Sequence, residues 1–254
     1  MARGGPDDDL QDYTRAMVLS DNGELFARLS GRQLLDNRGR LFFYDEFETL
    51  SAWQVSNPSH TSIQPLSWYT PTVANTFPKF LSKPKLLYFA CRGVGDNPLL
   101  KYFYVKDISR FGVECIFTIP AYGYGLSRFD IGLTYQYSTT QARNCVLRYN
   151  VQPYTINRFE ILTTSGVYTP IFDMNGDGNF SGWIWIKIVA DFNTGKYVRL
   201  LVGNTEIDLS NYTIDTVSSW GNGRGQVSLN PGIITYTSEQ FYLVDMLSLT
   251  MDEP

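Results

Sequence analysis

The sequence has little of the chemistry that most enzymes use. Its single histidine, His60, lies in the polar stretch NPSHTS, which leaves no base for a Ser-His-Asp or Cys-His arrangement. Its three cysteines, Cys91, Cys115 and Cys145, are odd in number and widely spaced, with no CxxC pair. This pattern argues against a disulfide framework or a zinc site. We expect all three to be buried free thiols.

Charge is also scarce, because only 18% of the residues are Asp, Glu, Lys or Arg and the net charge is −4. A chain with a pI near 5.1 offers no positive field to a phosphate backbone, so we do not expect nucleic acid as a partner. The opening residues MARGGPDDDLQDYTRAM contain no apolar run. They predict neither a secretory signal nor a membrane anchor. We therefore expect synthesis in a cytoplasm, without membrane insertion.

The residues that are abundant indicate an all-β protein. Aromatics make up 15% of the chain, and glycine, proline, Asn and Asp recur at short intervals. FGVECIFTI places Phe111 to Ile119 on one face at every second residue, FDIGLTYQY does the same from Phe129 to Tyr137, and WIWIKIVADF begins a three-stranded meander with turns at Asn193-Thr194-Gly195 and Gly203-Asn204. Further strands are predicted at 86–91, 101–106, 145–151, 156–162 and 241–250. Without crossover helices these strands predict an antiparallel two-sheet jelly-roll β-sandwich over residues 41–254.

The first 40 residues differ from the rest. Residues 1–16 are polar, with three consecutive aspartates at 7–9, and predict a flexible arm. LSDNGELF (19–26) and LLDNRGRLF (34–42) each carry an Asp-Asn pair and a glycine between apolar flanks, which favours short hairpins. We interpret residues 1–40 as an arm and hairpin-like docking segment, although a terminus without function fits the arm equally well.

Three stretches resemble the concanavalin A-like lectin/glucanase superfamily, which includes laminin-G-like domains. FFYDEFETLSAWQVS (42–56) resembles its opening strand, WIWIKIVADFNTGKYVRLLVGNTEIDL (183–209) its central meander, and FYLVDMLSLTMDEP its closing strand. RLSGRQLLDNRGRLFFYDEFE also resembles uncharacterised jelly-roll proteins of microbial and viral surface structures. The resemblance implies the fold more strongly than any function, because the superfamily holds hydrolases, lectins and binding modules.

The laminarinase-like enzymes of this superfamily carry an ExDxxE-type pattern on one strand, and this sequence has none. Hydrolysis of a glycosidic bond needs two carboxyl groups at a suitable separation. In DEFE, alternation places Glu46 and Glu48 on one face, opposite Asp45 and Phe47. The other explanation for Glu46 and Glu48 is an exposed acidic edge or a structural cation site. We therefore expect no enzyme, and a glycoside hydrolase of this fold is only the second alternative.

The stretch DMNGDGNFSGWIW has the opening spacing of a calcium loop. Asp173, Asn175 and Asp177 alternate ahead of Gly178, so their oxygens could converge on an ion. In a full EF-hand loop the twelfth position is a bidentate carboxylate, whereas here it is Ile184. The alternative is a turn in which these side chains bond their own backbone. Calcium is the one cofactor that the sequence suggests.

Three loops combine aromatic residues with glycine or proline and suit carbohydrate, which stacks on exposed rings. They are PAYGYGLSR with Tyr122 and Tyr124, SSWGNGRGQ with Trp220 and Arg224, and PLSWYTP with Trp68 and Tyr69. The alternative for each aromatic is packing in the core or an interface. Trp53, Trp183 and Trp185 lie in or beside predicted strands, and we expect them to be structural.

These observations predict a non-enzymatic structural or surface-binding subunit, incorporated into a virion or similar particle as a capsid decoration or fibre-type protein. Its expected partners are copies of itself or other particle proteins, with cell-surface glycan as a further contact. The alternative is a lectin-like carbohydrate-binding module. An assembly subunit should have a mass above 28.9 kDa in solution or need a partner, whereas a lectin should bind sugar as a monomer.

Overall fold

The computed structural model describes residues 38–45, 47, 49–51, 53–55, 61–65, 85–91, 98–104, 109–118, 127–152, 156–164, 166–174, 184–218, 224–233 and 240–254. Its regular elements are all strands: β1 (Arg40–Asp45), β2 (Gln54–Val55), β3 (Thr61–Pro65), β4 (Lys85–Cys91), β5 (Leu99–Tyr104), β6 (Arg110–Thr118), β7 (Ser127–Gln136), β8 (Gln141–Gln152), β9 (Ile156–Thr163), β10 (Val167–Asp173), β11 (Ile184–Asp191), β12 (Lys196–Val202), β13 (Thr205–Asp208), β14 (Asp215–Ser218), β15 (Arg224–Ile233) and β16 (Gln240–Met251). No helix in this part of the chain is long and apolar enough to cross a membrane. The predicted all-β class is confirmed.

The strands form two antiparallel sheets. The front sheet has the order β10-β9-β8-β7-β15-β5-β2, with β14 paired to β8, and the back sheet has the order β13-β12-β11-β6-β16-β4-β3, with β1 paired to β16. Strands far apart in sequence are neighbours in both sheets, since β15 lies between β7 and β5, and β16 between β6 and β4. This interleaving is the jelly-roll arrangement that the sequence predicts.

The core lies between the two sheets, and aromatic rings meet there. Phe117 of the back sheet and Phe129 of the front sheet have ring centroids 4.8 Å apart, and Phe111 and Tyr135 lie 6.0 Å apart. The faces predicted for FGVECIFTI and FDIGLTYQY are therefore correct up to the strand ends. Tyr137 is the exception: it follows the end of β7 and is 39% exposed. The strand ends before this residue, so the alternation no longer directs its side chain into the core.

The meander β11-β12-β13 turns at the positions that the sequence predicts. Gly195 and Gly203 have φ values of 71° and 57°, which glycine adopts without steric cost. At the first turn, Asp191 accepts hydrogen bonds from the backbone N–H groups of Asn193 and Thr194, each at 2.9 Å, and from Arg110 Nε at 3.2 Å. Burial alone would raise the pKa of the Asp191 carboxyl, but these bonds together lower the pKa below its ordinary value of 3.8.

We expect Asp191→Asn to remove a pH-dependent part of the stability. Because the pKa is lower in the folded state, the wild-type carboxylate stabilises the fold above its ordinary pKa, and this contribution is lost as the pH falls through the lowered folded value. Urea unfolding between about pH 6 and pH 3 should show a gap between the two proteins that narrows below about pH 4. A gap that stays constant across this range would contradict the assignment.

The DEFE stretch ends β1 in a tight structure around Asp45. Its carboxylate accepts the backbone N–H of Phe47 at 2.6 Å and the indole N–H of Trp53 at 2.7 Å. Phe47 is fully buried with a φ of 56°, so simple alternation through this motif does not hold. Glu46 and Glu48 lie outside the described residues, and their predicted convergence stays a prediction. The expectation that Trp53 is structural is confirmed, because it is 6% exposed and packs on Phe47.

Two other structural expectations are met. Cys115 and Cys145 are buried free thiols, and burial raises the pKa of the Cys145 thiol well above its ordinary value. Cys91 belongs to β4, but its side chain lies outside the described part. The Trp185 indole donates to Glu114 Oε1 at 2.9 Å, while Trp183 is not among the described residues.

Strands β3, β10, β14 and β15 are absent from the sequence-based prediction. The stretch SSWGNGRGQ (218–226) is predicted as a loop, and this is wrong at its end, because β15 begins at Arg224. Glycine and proline give β15 a low intrinsic strand propensity. Pairing with β7 on one side and β5 on the other overrides it. The correction moves Arg224 from a loop onto a sheet.

Candidate functional site

The outer face of the front sheet carries polar and aromatic side chains where β5 and β15 pair. On β15, Val227 and Leu229 are fully buried in the core, so the alternating Gln226 and Ser228 lie on the outer face. On β5, Leu99 is fully buried in the same way, which places Leu100, Tyr102 and Tyr104 outside. The face therefore presents two tyrosines from a single strand.

These residues line a groove of about 540 Å³, which we call the tyrosine groove. Its lining residues are Gln54, Leu100, Tyr102, Tyr104, Arg224 and Gln226. Strand pairing brings them together, because Tyr104 is opposite Arg224, Tyr102 is opposite Gln226, and Leu100 is opposite Gln54. Tyr102 is 42% exposed and Tyr104 65%, although burying a tyrosine ring would stabilise the fold.

The floor of the groove is fixed by close packing beneath it. Phe103 points inward from between the two tyrosines, and its ring centroid lies 5.3 Å from Phe42 and 5.8 Å from Phe111. Gly225 lies directly across from Phe103, and any side chain at this position would collide with the Phe103 ring. Glycine therefore allows β15 to approach β5 closely and aligns Arg224 and Gln226 with the tyrosines.

Arg224 lies beside one of these tyrosines. Its guanidinium carbon lies 5.4 Å from the centroid of the Tyr104 ring, within cation–π range. The residue is exposed, and no carboxylate among the described residues forms an ion pair with it. A guanidinium also carries N–H donors that can bind an oxygen of a ligand. The groove thus offers two aromatic surfaces, a cation and two side-chain amides.

The outer face continues from the groove across the sheet. Gln226 is in register with Thr134, and Thr134 with Asn144, whose Oδ1 accepts the Thr134 hydroxyl at 2.9 Å. Tyr135 is in register with Gly225, and the next residue of β7 is Gln136, which is 1% exposed. Neither amide atom of Gln136 has a hydrogen-bond partner among the described residues, which is unusual for a buried amide.

Two buried carboxylates lie further along the same face. Asp130 binds Arg148 through two bonds of 2.7 and 2.8 Å, and Arg148 in turn covers the Tyr168 ring at 3.4 Å. Burial alone would lower the pKa of the Arg148 guanidinium, but the bond from Asp130 raises it, so the arginine stays charged. The Glu160 carboxylate accepts hydrogen bonds from Asn150 Nδ2 at 2.5 Å and from Arg158 Nε at 2.7 Å.

This arrangement is unlike a glycosidase pair. Asp130 and Glu160 are in register with Arg148 from opposite sides, which separates their backbones by about 9.5 Å. Hydrolysis needs one carboxyl group that delivers a proton and one that activates water or attacks the sugar. Here a charged arginine stands between the two, and each carboxylate is committed to hydrogen bonds on the sheet.

Two of the candidate glycan-binding and calcium-binding residues from the sequence lie in the described part of the chain. Arg224 lines the tyrosine groove. Asp173 is exposed at the end of β10, directly opposite Arg158, while Asn175 and Asp177 lie outside the described residues. The part of the chain that is described holds no cluster of three or more metal-binding side chains. The other five glycan candidates, Tyr122, Tyr124, Trp68, Tyr69 and Trp220, also lie outside it, so their roles stay predictions.

Sequence reasoning missed Tyr102, Tyr104, Gln54 and Gln226 as site residues. A signal for the tyrosines was present, since LLKYFYVK predicts a strand in which Tyr102 and Tyr104 share a face. The sequence could not show that Phe103 would occupy the core and leave the tyrosines outside. Nor could it bring Arg224 from more than a hundred residues away to their side.

Comparison with known proteins gives a fold but no family. No family model matches the sequence, and no curated protein matches it. Among solved structures, a carbohydrate esterase from the Shiga toxin-encoding bacteriophage phi24B matches with a TM-score of 0.55 at 10% identity, covering 85% of this chain and 100% of that one. An endo-β-1,3-glucanase from Pyrococcus furiosus matches with a TM-score of 0.46 at 12% identity over 86% and 97% of the two chains. The CBM2 module of the evolved Dit from Lactobacillus casei BL23 phage J-1 matches with a TM-score of 0.47 at 12% identity, covering 85% of this chain and 98% of that one.

The fold is the jelly-roll β-sandwich that the sequence predicts. A fold does not by itself decide whether a protein hydrolyses a ligand or only binds it. The function has to be argued from the groove itself.

Proposed function

We propose that this protein binds carbohydrate without hydrolysing it, and that the tyrosine groove is its binding site. The observation that carries the proposal is the pair Tyr102 and Tyr104, exposed side by side on a strand whose intervening Phe103 is anchored in the core. Side chains two residues apart on a strand are separated by about 6.8 Å, so two rings form one extended aromatic surface. Such a surface suits the apolar faces of sugar rings.

The remaining groove residues supply the polar contacts that a sugar requires. Gln54 and Gln226 can each donate and accept hydrogen bonds, which matches the hydroxyl groups of a sugar. A volume of about 540 Å³ lies in the range of small-molecule sites. The groove is open on the sheet face, which leaves room for a ligand that continues as a chain.

Binding without hydrolysis is supported by the state of the carboxylates on this face. Asp130 and Glu160 are each held by arginine and lie away from the groove lining. A catalytic acid must be able to exchange its proton with the substrate during the reaction. Incubation with the glycans that bind should therefore release no new reducing ends, and release of them would overturn this part of the proposal.

The assembly function predicted from the sequence is a further proposal that rests on other residues. The arm at 1–16 lies outside the described part of the chain, so a particle subunit with homo-oligomeric or virion partners stays a prediction. Light-scattering mass of the full chain and of a chain without residues 1–16 tests it. An unchanged oligomeric state after the deletion would remove its main support.

We expect Tyr102→Ala and Tyr104→Ala each to weaken glycan binding about tenfold, because each removes half of the aromatic surface. Binding is measured first on a glycan array and then by titration calorimetry with the glycans that bind. Tyr137→Ala is the matched control, since Tyr137 is also an exposed tyrosine, at 39%, but contacts Arg143 outside the groove.

The control variant should bind like the wild type. Binding that survives both groove substitutions, or that falls equally in the control, would contradict the assignment of the groove. Absence of binding to every glycan on the array would overturn the proposed function.

A further inference from the structure

We infer that the tyrosine groove selects an anionic sugar residue, one that carries a carboxylate or a sulfate ester, and that Arg224 binds the anionic group. The inference rests on the proposed function and adds the chemical class of the ligand to it. Three features of the groove carry it: the sign of its charge, the position of Arg224 beside Tyr104, and the neighbouring amide of Gln226.

The described lining of the groove is positive, whereas the protein as a whole is negative. The whole chain has a net charge of −4, yet the described residues that line the groove include one arginine and no carboxylate. Elsewhere on the same sheet face the arginines are matched, since Arg148 binds Asp130 and Arg158 binds Glu160. Arg224 thus differs from its neighbours in having no such counterion among the described residues.

The position of Arg224 suits an anion in the groove. Its guanidinium carbon lies 5.4 Å from the Tyr104 centroid, so the cation lies beside one of the two rings that a sugar would cover. The edge donors of a guanidinium match a carboxylate or a sulfate with two parallel hydrogen bonds. A sugar stacked on the tyrosines would bring an acidic substituent beside this edge.

The groups next to Arg224 are neutral and capable of donating hydrogen bonds. Gln226 follows it by two residues on the same face and pairs with Tyr102. Amide donors add to the binding of an anion without the repulsion that a carboxylate would introduce.

The experiment compares a polymer with its uncharged counterpart. The probes are oligogalacturonate, the same oligomer after reduction of its carboxyl groups, and a sulfated galactan oligomer with its desulfated form. We expect the wild type to bind at least one anionic probe about tenfold or more tightly than its neutral partner, with an affinity that falls as salt is raised.

Substitution of Arg224 tests the residue. Arg224→Gln should weaken binding of the anionic probe by about ten- to a hundredfold and leave binding of its neutral counterpart nearly unchanged. Arg224→Lys should keep only part of the affinity, because an ammonium group cannot make the paired contact. Lys196→Gln is the matched control: it removes the same charge from an exposed site on the back sheet and should have no effect.

The outcomes separate this inference from the proposed function. Equal binding of the charged and neutral forms, with losses in Tyr102→Ala and Tyr104→Ala, would overturn the anionic specificity and leave carbohydrate binding standing. A preference for the anion that survives Arg224→Gln would overturn the role of Arg224. If no probe or array glycan binds while an acidic peptide does, both ideas fail and the groove is a protein-docking surface.

Discussion

Glu253→Gln is expected to lower the free energy of unfolding by about 3–5 kcal/mol, the largest effect of any single change considered for this protein. The Glu253 carboxylate is fully buried and binds Lys187 Nζ at 2.8 Å and Arg199 Nη2 at 2.6 Å. It also accepts the hydroxyl of Thr250. Without its charge, the buried Lys187 and Arg199 would lose the carboxylate that binds them both, and their bonds to the backbone oxygens of Arg38 and Pro254 would not replace it.

The adjacent residue provides the control. Asp252 is an acid too, but its side chain is 62% exposed and pairs with the exposed Arg40 at 3.0 Å. Asp252→Asn should therefore change the free energy of unfolding by less than about 1 kcal/mol. Urea unfolding of the three proteins, followed by far-UV circular dichroism, measures both differences. Similar losses for the two substitutions would contradict the special role of Glu253.

Asp45→Ala is expected to cost about 2–4 kcal/mol of the free energy of unfolding, the second-largest effect. The substitution removes the acceptor for two N–H groups, the backbone of Phe47 and the indole of Trp53, which belong to buried residues. An N–H group left unsatisfied in a buried place costs about 1–3 kcal/mol. The left-handed backbone of Phe47 would also lose the bond that holds it.

A double-mutant cycle isolates the indole contact. Trp53→Phe keeps an aromatic ring beside Phe43 and Phe47 but removes the N–H donor. In the Asp45→Ala background this second change should cost less than it does in the wild type, because the indole has already lost its acceptor. Urea unfolding of the four proteins gives the coupling energy, and strictly additive losses would contradict the proposed contact.

The turn in which Asp45 binds Phe47 and Trp53 also supports the tyrosine groove. Trp53 immediately precedes β2, and Gln54 of β2 pairs with Leu100 to form one wall of the groove. Loss of the turn should therefore weaken glycan binding in a protein that is still folded. Glu253 lies on the back sheet side of the molecule, so its substitution should affect stability and leave the affinity of the folded protein unchanged.

The sequence by itself determined the class of the sandwich and most of its strands. Alternation in FGVECIFTI and FDIGLTYQY identifies strands and their apolar faces because side chains point to opposite sides of a strand at every step. The turns at Gly195 and Gly203 are readable for a similar reason, since the conformation of a short turn depends on its own residues. Where glycine and proline weakened the local signal, in β15, the prediction failed.

Only the tertiary structure decided which polar and aromatic residues form a site. Tyr104 and Arg224 face each other because β5 and β15 are neighbours, and strand order is set by packing across the whole chain. The buried contact of Lys187, Arg199 and Glu253 is hidden for the same reason, because in sequence these residues look like ordinary surface charges. Local periodicity can assign a side chain to one face of a strand, but its neighbours on that face depend on pairings between distant segments.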